Sequence, residues 1–319
     1  MLHSNIAALI SGAMLATIAV IFSLLATYSP FLGVFIATLW PVPFVLQGLV
    51  HGLRACIISL VVASLLVMFL VNTLYATSII CGFSLVAISL VYAIQKNFSL
   101  STTIYISIAA SLFSKYLTLT ILIQILGFNP LVIAPENIAA GISKIMRWAQ
   151  TLGLKPQQLT ILQTNIPSIL QTVSQLLPSG FVIAALIDSI VNYSLVQKIA
   201  AHILRPIKKM PEFDQIYMPK YISWLFVVSA MLIIYLPIST NSPLSIIAFN
   251  TYIFSLFMLI VQAISGIFYL ANKTTYPRLI KNISLLLILS NPLFAKIAAL
   301  FAIHYLNHYL YWRKLTQER

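Results

Sequence analysis

Residues 39–54 read LWPVPFVLQGLVHGLR. Pro41 and Pro43 interrupt an otherwise apolar stretch, and the spaced pair Gly48 and Gly52 follows. Proline lacks the N–H that an interior helical position must donate, so a single helix through 31–50 would break at its middle. A helix that starts at Pro41 avoids that loss, because N–H groups of a first turn have no intrahelical partner. The stretch therefore reads as a loop ending at Trp40, a short helix over 41–50, and a glycine-marked return into the next helix beside Arg54. Irregular backbone at bilayer depth is tolerated only where protein or a wet cavity covers it. A candidate solute site is accordingly expected beside this break, with Trp40 and Gln47 in it.

Composition sets the class around that break. Of 319 residues, 61% are hydrophobic and 7% charged, against about 25% charged in soluble domains. Apolar runs of about twenty residues match the length a helix needs to cross the hydrocarbon core, whereas barrel strands would alternate over about ten. The expected fold is all-α, a polytopic integral membrane helical bundle of about nine transmembrane helices. The spans are 6–27, 41–50, 55–71, 76–95, 102–128, 179–204, 221–238, 244–271 and 282–305. The start, MLHSNIAALI, lacks the basic region of a cleavable signal, so the first span reads as retained.

The net charge of +13 belongs to loops rather than to a nucleic-acid surface, because each Lys/Arg cluster flanks an apolar span. Arg54, Lys96, the group from Lys198 to Lys220, and Lys273, Arg278 and Lys281 fall on one side, while YSP, NTLY and STNSP carry no charge. Basic loops remain cytoplasmic, which puts the N-terminus inside. Nine crossings would leave Arg313, Lys314 and Arg319 outside, unless Pro292 splits the last span into a hairpin. Residues 129–178 differ from the rest. Apolar stripes at helical spacing, through Ile138–Leu152 and Leu159–Val173, read as two amphipathic helices, either a lid or an interface to another protein.

Two charges fall inside spans, Lys115 in the fifth and Asp188 in the sixth. An unpaired charge at mid-bilayer costs several kcal/mol, so each should find a partner, and consecutive helices make Lys115–Asp188 the economical pair. Asn192 stands one turn from Asp188 and extends the polar site. A pair that only fixes helix register is the competing reading. Ala8, Gly12 and Ala16 form a small-residue stripe suited to close helix packing, within this chain or with a partner. Cys56 and Cys81 lie in apolar segments without metal or redox spacing. No catalytic motif occurs, and His304 and His308 have no third ligand nearby, so neither an enzyme nor a cofactor or metal is expected.

The run PVPFVLQGLVHGLRACIISLVVASLL resembles a region of the YybS-like family of bacterial membrane proteins. GFVIAALIDSIVNYSLVQKIAAHIL with MPEFDQIYMPKYISWLFVV is similar to that family's second block, and HYLNHYLYWRKL to its terminal ending, save that Asn307 replaces an acidic residue. More distantly, the first six spans resemble S-components of energy-coupling-factor vitamin transporters. That resemblance implies a six-helix unit over 1–204; the 129–178 insertion within it and the three-helix extension over 205–319 depart from the S-component pattern. It also implies residues 28–40 as a lid, and Ala8, Gly12 and Ala16 as a docking stripe for a separate membrane coupling protein. The function expected is binding or transport of a small solute at Trp40, Gln47, Lys115, Asp188 and Asn192 in the bacterial inner membrane. The alternative is a membrane scaffold or assembly factor working through residues 129–178.

Overall fold

The computed structural model describes residues 2–29, 32–71, 73–126, 156–203, 206–235 and 242–306. Among them the secondary structure is helical throughout. Seven segments among the described residues are long and apolar enough to cross a membrane, and a bent pair makes an eighth candidate. The polytopic helical bundle expected from composition is thus the fold. The chain divides into two compact units, residues 1–133 with 181–210, and residues 134–180 with 211–319. Of the described residues in this stretch, 156–180 fall in the second unit; the sequence reading placed 129–178 with the N-terminal six helices.

The first unit begins with α1, Leu2–Tyr28, followed by α2, Gly33–Thr38, and α3, Pro41–His51. The expected loop at 28–40 is a correction: most of it is helix. The reason lies in the backbone around the prolines. Trp40 N–H donates to Ala37 O at 3.0 Å and Val42 N–H to Leu39 O at 3.1 Å. These tight 3₁₀-type bonds carry the chain through the proline pair without stranding a donor. Pro41 takes the first-turn position expected for it, and Trp40 keeps a helical backbone before it. Together α2 and α3 make a 19-residue apolar span, of which 56% is buried, against 28% for α1. This broken span is the centre of the unit rather than its rim.

Around it pack α4, Leu53–Leu70, α5, Thr73–Gln95, and α6, Leu100–Leu126. Gly52 caps α3 at φ +94°, a conformation that permits the sharp return into α4. Gly48 serves another purpose. A Cβ there would lie 2.5 Å from a Val91 methyl, so only glycine lets α3 approach α5 this closely. Gln95 Nε2 then reaches Gly48 O at 2.7 Å. The core is continuous from Ala16 and Val20 through Trp40, Phe44 and Val45 to Leu90 and Val91. Gly12 and Ala16 are buried inside their own unit, with Gly12 against Gln47 and Ser59.

A long helix α7, Pro156–Ile203, supplies residues to both units. The sixth span, Ser174–His202, is part of it. The second amphipathic stripe thus runs into the span without the expected break. The first stripe, 138–152, lies outside the described residues. After α7, Lys208 Nζ donates to Asn97 O and Phe98 O, which brings this basic segment against the turn that carries Lys96.

In the second unit a 3₁₀ turn, Phe213–Gln215, leads to α8, Tyr221–Tyr235, and α9, Pro243–Ala271. Helices α10, Pro277–Ser290, and α11, Pro292–His304, meet at a bend of 119°. Pro292 supplies no N–H to a continuing helix, and Asn291 accepts from Leu293 N–H at 2.8 Å, capping a fresh start. Leu259, Ala263, Ala299, Ala302 and Leu306 form this unit's core. Two side chains hold the entering strand of backbone: Gln262 accepts from Met218 N–H, and Ser265 donates to Ile216 O.

Candidate functional site

The fifth span, α6, carries Thr103, Ser107, Ser111 and Ser114 at intervals of three or four residues, and all four are buried. That spacing sets their hydroxyls on one helical face. The face ends at Lys115, whose Nζ pairs with Asp188 on α7. Asp188 is 3% exposed, so the charge is held in the interior and its desolvation must be offset by close partners. Ser111 provides one: it donates to Asp188 Oδ2 at 2.9 Å and accepts from Lys115 Nζ at 2.9 Å. The ammonium also lies 5.5 Å from the Phe83 ring centroid on α5, a cation–π distance.

Asn192 extends the centre toward α2. Its Nδ2 donates to Asp188 O at 2.7 Å and to Thr38 O at 2.9 Å, two residues before Trp40. Trp40 is fully buried, its ring 4.6 Å from that of Phe44. Several polar atoms near this centre have no hydrogen-bond partner among the described residues: Trp40 Nε1, Asn192 Oδ1, and the hydroxyls of Ser107, Ser114 and Ser189. Native interiors rarely leave such groups unsatisfied, since each costs about 1–3 kcal/mol.

The structure therefore brings Lys115, Asp188 and Asn192 together, with Trp40 at the neighbouring break. Gln47 lies elsewhere. Its Nε2 donates to Ala8 O at 2.8 Å, in a cleft between α1, α3 and α4. The sequence reading missed Ser111, Ser107, Ser114 and Ser189. The signal was present in LSTTIYISIAASLFSKY, where hydroxyls recur at helical spacing up to the lysine. Lys296 is exposed, and His308 lies outside the described residues.

Long apolar helices enclosing a buried ion pair define a polytopic helical membrane protein. The chain belongs to the family described as predicted membrane protein (DUF2232), whose model matches residues 17–303. It is also similar to the uncharacterized protein YybS of Bacillus subtilis (strain 168). The two are 24% identical over 290 residues, covering 90% of this chain and 92% of that one. No solved structure matches the chain.

Proposed function

We propose that the first unit binds a small polar solute beside the Lys115–Asp188 pair, as the substrate-binding component of a transporter. One observation carries this reading. A buried ion pair stands among buried donors and acceptors that no described residue satisfies, and intramembrane ionisable groups mark pathways or sites. A polar solute supplies those missing partners, and a pair that only fixed helix register would not need them. The chemistry proposed is binding rather than catalysis. Energy for movement comes from a separate membrane coupling protein, to which no surface is assigned.

The location we propose is the bacterial cytoplasmic membrane, with the N-terminus and the basic loops inside. Neither α10 nor α11 covers the roughly 30 Å hydrocarbon core, since each rises only about 20 Å. At 119° the second helix turns back against the first, as a re-entrant pair does. The seven candidate spans, with α8 counted as a crossing because the apolar run that holds it continues to residue 238, then return the chain to its starting side. The basic tail joins the other basic segments there, consistent with the charge rule.

Native mass spectrometry of the purified protein tests the solute reading. Wild type should carry a bound small molecule that the doubly neutral variant Lys115→Gln/Asp188→Asn lacks. A wild type that carries none after mild extraction, or a ligand retained equally by the variant, refutes it.

A further inference from the structure

A cleft of about 430 Å³ opens between α1, α3 and α4, apart from the Lys115–Asp188 centre. Gln47, His51, Arg54 and Ser59 build its polar end. Ser11 Oγ ties two of them to α1, lying 3.1 Å from Gln47 Oε1 and 2.9 Å from His51 Nε2. Gly12 sets the floor, since a Cβ there would lie 2.8 Å from Ser59 Oγ and 3.0 Å from Gln47 Nε2. The other end is apolar, with Leu9 and Ala13 facing Ile58 and Val62. Leu9 is 72% exposed and Ile58 60%, and both belong to spans, so acyl chains rather than water adjoin them.

The order of residues along α4 is informative. Arg54, Ile58 and Val62 follow one another at four-residue intervals on one face. A cation at the first turn thus leads into an apolar lane about 12 Å long. His51 closes α3 and Arg54 opens α4, which sets both at the depth of lipid headgroups. Arg54 is exposed and has no hydrogen-bond or ion-pair partner among the described residues.

We propose that this cleft is a binding site for an anionic phospholipid. The phosphate sits on Arg54 and His51, and one acyl chain lies in the lane between α1 and α4. A free anion would use the cation but gain nothing from the lane, and a neutral apolar ligand would leave Arg54 unpaired. The headgroup charge and the chain together match both ends, as basic pockets at the ends of membrane helices do for acidic lipids.

The test is native mass spectrometry of the full chain released from nanodiscs of equimolar phosphatidylglycerol and phosphatidylcholine. Wild type should retain phosphatidylglycerol in preference. Arg54→Gln should lower that retention about fivefold, the effect of one basic residue at a membrane surface, and Arg54→Lys should restore it. Ala13→Leu, which fills the lane without touching the polar end, should also lower it. Thermal unfolding of Arg54→Gln should match wild type, because the side chain is exposed. Equal retention of the two lipids, unchanged retention in Arg54→Gln, or displacement of the lipid by millimolar glycerol 3-phosphate overturns the proposal.

Discussion

At the scale of single residues, the Lys115–Asp188 pair dominates. Its two charges stabilise each other in a place where neither is tolerated alone. Asp188→Asn should therefore lower stability by about 3 kcal/mol, because it leaves a buried cation without a counter-charge. Lys115→Gln/Asp188→Asn should recover most of that loss. Thermal unfolding of the three proteins in one detergent checks this; equal losses in the single and double variants would mean that the charges do not depend on each other. The pair itself was legible from sequence, because two intramembrane charges on consecutive spans leave few alternatives. Gln47, grouped with that pair in the sequence reading, lies in the cleft between α1, α3 and α4. Sequence proximity to Trp40 suggested a common cavity, yet seven residues along a helix are about two turns, which keep nearly the same face but shift the depth by about 10 Å. Its real partners are Ala8 O and Ser11, contacts that no local pattern announces.

At the scale of elements, the proline break decides the architecture. The start of α3 at Pro41 was legible, since proline restricts where a helix can begin. The helix before it was not, because GVFIAT is short and its formation depends on α1. Gly33 N–H donates to Ser29 O, and a Cβ on Gly33 would lie 2.3 Å from Ala26 O. Close approach through glycine recurs at Gly48. Gly48→Ala should destabilise by about 1–3 kcal/mol through overpacking against Val91. Combining it with Val91→Ala should restore part of that loss, by making room for the new methyl. No rescue in the double variant would show that the effect is not steric. The union of 156–178 with the sixth span also escaped the sequence reading. The stripe ending at Val173 and the apolar span beginning at Ser179 read as separate helices, yet one helix runs through both.

At the scale of the whole molecule, hydrophobicity and charge placement specify a membrane protein, and the bend between α10 and α11 bears on its topology. Single cysteines at Thr275 and His304 flank the bent pair. In inverted and right-side-out vesicles both should be labelled by an impermeant maleimide from the same side. Labelling from opposite sides would make the pair one broken crossing. A scaffold working through residues 129–178 predicts indifference to solutes, which separates it from the function proposed for the first unit. The decisive measurement is thermal unfolding of wild type and Lys115→Gln/Asp188→Asn against a panel of amino acids, nucleosides and water-soluble vitamins. Solute binding at the buried pair predicts that at least one compound raises the Tm of wild type and leaves the variant unchanged. A shift of equal size in both proteins, or none in wild type across the panel, would contradict it.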